Sequence, residues 1–228
     1  MLTVVAAAGA GILATVAHGA FHRNSPVFGR VIARLPAGDR NVALTFDDGP
    51  NPVATPRILD VLRYERVLAT FFLLGKHVER WPAIARRVAL DGHAIGNHGY
   101  HHDKLHRRGP AYTRLDIQLG TEAIQRATHH TPRYFRAPHG FRNPWVVSSA
   151  AELGQRVVGW TLGVWDTDKP GAEVIAERVR RGTRPGSIVL LHDGDARDPS
   201  GDRTQTAAAL PLIIRDLRSA GFRFVLPS

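Results

Sequence analysis

ValAlaLeuThrPheAspAspGlyPro, residues 42–50, is the stretch on which the fold turns. Val42 to Phe46 is a short, mostly apolar run of the kind that forms a buried strand, and two carboxylates follow it at once. A strand that ends in Asp47-Asp48 carries its acids at its C-terminal end, where α/β barrels assemble their sites. Further along, GlyHisAlaIleGlyAsnHisGlyTyrHisHis (92–102) carries His98 and His102. Their i, i+4 spacing predicts two imidazoles on one face of a helical turn. Two such nitrogens and one carboxylate oxygen make a three-ligand metal site with room for a water. The two aspartates then divide the labour, one binding the metal and the other taking a proton from that water. His98 with His101 is a second geometrically possible pair.

Outward from this centre the chain alternates. Residues 56–64 have helical spacing, with Thr55 as the N-cap and Pro56 at the first helical position. Strands are expected at 42–46, 69–74, 93–96, 134–136, 157–160, 187–192 and 222–226. Helices are expected at 81–90, 112–127, 144–153, 172–181 and 206–220. Alternation of this kind predicts parallel strands under helical cover, in a barrel or an open sheet. Asp47, His98, Arg136, Asp166 and His192 each follow a different apolar strand, which favours the barrel. Asp47 to Pro50 is not the glycine-rich phosphate loop of a doubly wound sheet. The expected fold is α/β: a distorted (β/α) barrel with about seven parallel strands, preceded by an N-terminal hydrophobic segment.

With 228 residues, 43% hydrophobic and 22% charged, the chain suits one globular domain. The net charge is +10, and lysine occurs only at Lys76, Lys104 and Lys169 among 30 basic residues. A genome that prefers arginine codons explains that bias; attraction to a polyanion is the functional alternative. No nucleic-acid motif accompanies the charge and aromatics make up 7%, so no nucleic-acid partner is expected. With no cysteine, any metal site must use His, Asp and Glu. Residues 1–17 are uncharged and rich in Ala, Val and Leu, fitting a signal-like core or a short membrane anchor. Arg23, Arg30 and Arg34 follow it, and by the positive-inside rule they place the main domain on the cytoplasmic face. The division expected is therefore a hydrophobic segment at 1–20, a connector at 21–40 and a catalytic domain at 41–228.

Five segments stand in a fixed order: ThrPheAspAspGlyPro (45–50), HisGlyTyrHisHis (98–102), ArgAlaProHisGly (136–140), TrpThrLeuGlyValTrpAspThrAsp (160–168) and LeuLeuHisAspGly (190–194). This set resembles the polysaccharide deacetylase family, carbohydrate esterase family four, over roughly residues 40–226. The first, second and last segments are the specific ones. The resemblance implies removal of N- or O-acetyl groups from sugars with one divalent metal, usually zinc, in a distorted (β/α) barrel. It implies Asp48, His98 and His102 as metal ligands and Asp47 as general base. Arg136 resembles the arginine that holds that base, His192 the general acid, and Asp166 the carboxylate that orients and charges it; Asp168 is a rival to Asp166. His139, Gly140, Trp160 and Leu190 fall where the family contacts its substrate. Four positions depart from the family pattern. Gly99 stands where Ser or Thr is usual, which removes one hydrogen bond from that loop. His139 replaces a usual Tyr, Gly163 an Asp and Thr167 a Trp. These changes spare the metal site and fall on the substrate groove.

The chemistry stands without the family. Amide hydrolysis needs an activated water, a polarised carbonyl and a proton for the departing amine. A metal supplies the first two. The acid is most simply a histidine kept protonated by a carboxylate, a description His192 meets. The expected function is a metal-dependent deacetylase of N-acetylglucosamine-type glycans: peptidoglycan, a chitin-like oligomer or a lipid-linked glycan. A hydrolase of a non-sugar amide or formamide, and a non-catalytic metal- or glycan-binding module, are the alternatives. His-His-Asp also suits cobalt, nickel, manganese or iron. The expected location is the cell envelope, membrane-anchored through residues 1–17 or exported.

Overall fold

The structure is a computed structural model that describes the backbone of residues 2–36 and 38–227, with side chains except those of residues 2–8 and 10. It opens with α1 (Leu2–Phe21) and an edge strand β1 (Val31–Ile32). Next come β2 (Asn41–Asp47), α2 (Ala54–Glu65), β3 (Thr70–Leu73), α3 (Gly75–Arg80), α4 (Pro82–Leu90), β4 (Ala94–Asn97) and α5 (Pro110–Thr128). The chain continues through β5 (Tyr134–Phe135), α6 (Pro144–Glu152), β6 (Arg156–Val158), β7 (Leu162–Gly163), α7 (Ala172–Gly182), β8 (Ser187–His192), α8 (Thr204–Ser219) and β9 (Arg223–Phe224).

All the strand ladders are parallel, and the order is β1-β6-β5-β4-β3-β2-β8-β7. β9 pairs with the start of β2, at Asn41 and Val42, while β3 takes its end, from Thr45 to Asp47. Among the described residues no ladder joins β7 to β1, so the barrel is distorted and incompletely closed. Leu35 N–H bridges that side by donating to Gly186 O at 3.0 Å.

Alternation along β2 sorts its side chains. Val42, Leu44 and Phe46 pack outward into the large apolar layer with Ile58, Leu62, Val189, Leu191, Leu210 and Ile214. Ala43 belongs instead to an inner cluster with Leu35, Phe72, Val158 and Ile188. Thr45 and Asp47 share that inner parity, so period two brings Asp47 to the rim of the barrel interior. The same alternation on β8 sends Val189 and Leu191 outward and gives Leu190 and His192 the inner parity of Ile188.

Nine strands form where seven were expected. The additions, β1 and β7, are two residues each, too short to carry a periodicity. β1 lies within residues 21–40, expected as a connector, so that segment enters the sheet. α3 also went unpredicted, being one short helix. Residues 11–18 of α1 are exposed, Ile12, Leu13 and Val16 among them. Among the described residues no helix is long and apolar enough to cross a membrane. The segment expected over 1–17 lies largely outside the described side chains.

Thr55 is not the N-cap of α2. The helix begins at Ala54, and Asn51 Oδ1 accepts from Val53 and Ala54 N–H at 2.9 and 2.8 Å. Thr55 is buried, accepting from Asn51 N and donating to Asp193 at 2.5 Å. Asn51 Nδ2 also donates to Pro199 O and Gly201 O, tying α2 to the loop before α8. Asn51→Ala is expected to cost about 1–2 kcal/mol, the upper part of the capping range, because it frees both partners. Thermal denaturation measures this against Asn51→Asp, which keeps the cap alone.

Candidate active site

Asp47 and Asp48 are neighbours with different surroundings. Asp47 ends β2 inside the barrel, 3% exposed. Asp48 turns the chain out of the strand with φ 73°, a left-handed conformation that aspartate tolerates better than most residues. Its Oδ1 lies 3.4 Å from His98 Nε2 and 3.2 Å from His102 Nε2. The three ligand atoms lie within 4.8 Å of one another. Asp48 Oδ1 is buried and has no hydrogen-bond partner, which leaves its lone pairs free for a cation. Burial alone would raise the Asp48 carboxyl, but the neighbouring imidazoles, His102 first, hold it well below the usual carboxylate range. A carboxylate and two imidazoles, all facing one point, fit a divalent metal.

The imidazoles are fixed from behind. His98 Nδ1 donates to Arg136 O at 2.8 Å, which sets the tautomer that leaves Nε2 for the metal. Burial lowers the His98 pKa and favours that neutral form. His102 is brought in by a loop and not by the expected helical turn, since residues 98–102 are non-helical and both Gly99 (φ +80°) and His102 (φ 66°) are left-handed. Asp116 of α5, 2% exposed, holds this loop by accepting from Tyr100 N (3.1 Å), His101 N (3.0 Å) and His101 Nδ1 (2.7 Å). A Cβ at residue 99 would meet Asp116 Oδ2 at 2.5 Å, so glycine there makes room for the carboxylate. The hydrogen bond expected to be missing at Gly99 is thus replaced by three from Asp116. His101 is committed to that carboxylate, which resolves the ligand pair in favour of His98 and His102.

Arg136 lies across the interior, fully buried. Its Nη1 donates to Asp47 Oδ1 at 2.7 Å and to Thr45 Oγ1 at 2.8 Å, and Nη2 donates to Gly159 O at 2.9 Å. Its guanidinium stands 4.0 Å from the Phe72 ring centroid and 5.6 Å from that of Trp160. His192 is the register partner of Asp47 across β2 and β8. Asp166 Oδ1 pairs with His192 Nδ1 at 2.9 Å, while Asp166 Oδ2 accepts from His192 N and Thr206 Oγ1 at 2.8 and 2.9 Å. Burial opposes a charge on His192, but the Asp166 carboxylate outweighs it and raises the pKa to about 9. Asp166, and not Asp168, is the partner.

The expected groove residues also gather here. The His139 ring stands edge-on to His102 at 4.7 Å, with φ 60°, and burial pushes its pKa down to about 4. Gly140 touches the edge of Trp160. Leu190 lies one turn of the pleat below His192, 8% exposed. Sequence reasoning missed three supports. His77 Nδ1 donates to Asp48 O at 2.8 Å from α3. Asp193, raised to about 7 by burial, packs under Gly49 with Thr55. Asp116 was the discoverable one, because it shares the buried face of α5 with Thr113, Ile117 and Gly120.

A half-open parallel barrel, with a two-histidine, one-carboxylate centre flanked by a buried acid and a charged histidine, defines a metal-site hydrolase class. The polysaccharide deacetylase profile matches residues 34–158, and the chain belongs to that family. It is 40% identical to the chitooligosaccharide deacetylase of Bradyrhizobium sp. (strain ANU 289), over 82% of this chain and 88% of that protein. It is 38% identical to a peptidoglycan-N-acetylglucosamine deacetylase of Bacillus cereus, over 88% and 92%. The solved Bc1960 peptidoglycan N-acetylglucosamine deacetylase superposes with TM-score 0.81 at 35% identity, covering 86% of this chain and 90% of that one. A family 4 pseudoenzyme from Bacillus anthracis superposes with TM-score 0.79 at 29% identity, covering 89% and 68%.

Asp116→Ala is expected to weaken metal binding about 10–100-fold by releasing the loop that carries His102. His101→Ala should leave it within about threefold, since that ring faces Asp116 and solvent. Competition with a chromogenic chelator measures both.

Proposed function

We propose that this chain is a metal-dependent deacetylase that removes N-acetyl groups from N-acetylglucosamine-type glycans. The observation that carries this is the pair Asp47 and His192, side by side at the rim and outside the three-ligand set. A module that only bound metal or sugar would need neither group. Asp48, His98 and His102 would hold one divalent ion, zinc by donor type, with cobalt, nickel, manganese or iron as substitutes. When bound, such an ion supplies the positive charge that activates water and polarises the acetyl carbonyl.

The remaining chemistry belongs to side chains. Asp47, aimed by Arg136, accepts the proton of the attacking water at its free oxygen, Oδ2. His192 donates from Nε2 to the departing sugar amine, because Nδ1 is committed to Asp166. Trp160 and Leu190 form the floor and wall against which the sugar rests. Relatives named for chitooligosaccharide and for peptidoglycan deacetylation support a glycan substrate. An envelope location with α1 as anchor draws support from the uncharged stretch 2–17 and the exposed Ile12, Leu13 and Val16.

Acetate release from acetylated chitin oligomers and peptidoglycan should stop on chelation and return with zinc. Asp47→Asn should abolish turnover while leaving metal bound. Loss of metal with recovery of activity on reconstitution would exchange the roles of the two aspartates. The alkaline limb of kcat should follow His192, which donates only while protonated and whose pKa stands at about 9. Asp166→Asn removes the strongest of the carboxylates that raise it and leaves Asp48 and Asp47 against burial, so the limb should fall below about 9. Asp168→Asn should leave the limb in place. A pH profile of initial rates reads both.

A further inference from the structure

The family match begins at residue 34, yet residues 20–25 are built into the site ahead of it. Arg142, 1% exposed, holds that segment by its carbonyls. Its backbone N–H donates to Ala20 O, and its Nη2 donates to His22 O and Ser25 O, each at 3.0 Å. Asn24 grips the backbone of Trp160 twice: Nδ2 donates to its carbonyl at 2.9 Å, and Oδ1 accepts its N–H at 3.3 Å. Phe21 lies edge-on to Phe141, with centroids 5.5 Å apart. The segment is therefore a fixed wall and not a loose tether.

Arg23 sits in the middle of that wall, half-buried. Its Nε donates to Trp160 O at 3.0 Å, and its guanidinium stands 5.3 Å from the indole centroid. A Cβ added at Gly140 (φ +73°) would meet Arg23 Cβ at 2.8 Å and the Trp160 ring at 2.7 Å, so the three residues are in close contact. Gly140 follows His139, which touches His102, and Trp160 adjoins the arginine that holds Asp47. Among the described residues no carboxylate pairs with Arg23, whereas Arg108 and Arg203 take Asp103 and Asp195. A guanidinium held in a groove wall without a counter-ion suits two anionic oxygens of a ligand.

The lysines make an independent second observation. Lys76, Lys104 and Lys169, the only ones in the chain, all lie past the C-terminal ends of strands: after β3, β4 and β7. They share that face with Asp48, His98 and Asp166. Of the acids there, Asp103 and Asp195 are paired to arginine, while Asp168, Asp198 and Asp202 are exposed, Asp168 and Asp202 close to Lys169. A codon preference for arginine would not place every lysine around one mouth.

We infer that Arg23 contacts a carboxylate or phosphate on the sugar next to the one that loses its acetyl group, so that the segment ahead of the family domain selects acidic glycans over neutral ones. This rests on the glycan deacetylase reading. The test is acetate release by the full chain on three substrates of equal length: a neutral chitin oligomer, a carboxylate-bearing peptidoglycan glycan, and a chitin oligomer phosphorylated at its reducing end. Arg23→Gln should raise KM about tenfold on at least one anionic glycan, the loss of a charged hydrogen bond, with kcat within about twofold. KM on the neutral oligomer should not move. The anionic substrate affected names the source, Arg23→Lys should restore part of the loss, and about 0.5 M salt should erase the wild-type preference. Equal changes on neutral and anionic substrates would reduce Arg23 to a brace for Trp160, and no change on any would remove it from the groove; either overturns the inference. Wild-type acetate release from none of the three would instead bring down the deacetylase reading, and this inference with it.

Discussion

The buried pair of Arg136 and Asp47 is the interaction on which the rest of the site depends. A guanidinium with no solvent exposure is costly to desolvate, and burial alone lowers its pKa. What offsets that cost is complete use of its edges: Asp47, Thr45, the carbonyls of Val158 and Gly159, and the face of Phe72. These partners come from β2, β3 and the end of β6, so one side chain ties the strands across the interior. The backbone of the same residue fixes His98 through its carbonyl. The orientation of the Asp47 carboxylate and the tautomer of His98 are thereby set by a single residue. Removing one partner of such a pair strands a buried charge, which commonly costs about 3–5 kcal/mol.

Around that pair, charge is distributed by geometry more than by residue type. Asp47 and Asp48 are chemically identical and adjacent, yet one is held by a guanidinium and the other is surrounded by imidazoles. The left-handed turn at Asp48 makes the difference, because it throws one carboxylate out of the strand direction while the other stays in it. On the neighbouring strand, Asp166 keeps His192 charged against burial. His98 and His139 are pushed toward neutrality by the same burial, which for His98 outweighs the nearby Asp47 and Asp48 carboxylates. One cleft thus holds a charged His192 beside neutral His98 and His139, the division that metal binding together with proton donation would require.

The departure at Gly99 is compensated within this chain. Gly99 loses a side-chain hydroxyl, and Asp116 moves into the vacated space to bind the same loop through three hydrogen bonds. His139 exchanges a phenol for an imidazole that packs on His102. Residues 20–25 and β1 add a wall and an edge strand ahead of the matched family region, held by the buried Arg142. The folded unit therefore extends ahead of the family match, which begins at residue 34.

The alternation of strands and helices, the barrel class and the convergence of Asp48, His98 and His102 were all legible along the chain. Those features are written in local signals: apolar runs of strand length, each followed at once by a polar residue, in an order that repeats a family's. The sequence could not show the short strands β1 and β7, because two residues carry no period and form only where a neighbouring strand offers hydrogen bonds. It read His98 and His102 as a helical pair, when a loop with two left-handed residues makes them converge. It took Thr55 for a cap because a Thr-Pro pair is a local signal, whereas the choice of Asn51 depended on a loop 148 residues away. Asp116, His77 and Arg23 act only through contacts distant in the chain, and their chemistry became visible when packing gave each a partner or withheld one. Spacing along a chain fixes which groups are available; only the closed backbone decides which face one another, since that choice is made by burial and hydrogen-bond satisfaction across many strands at once.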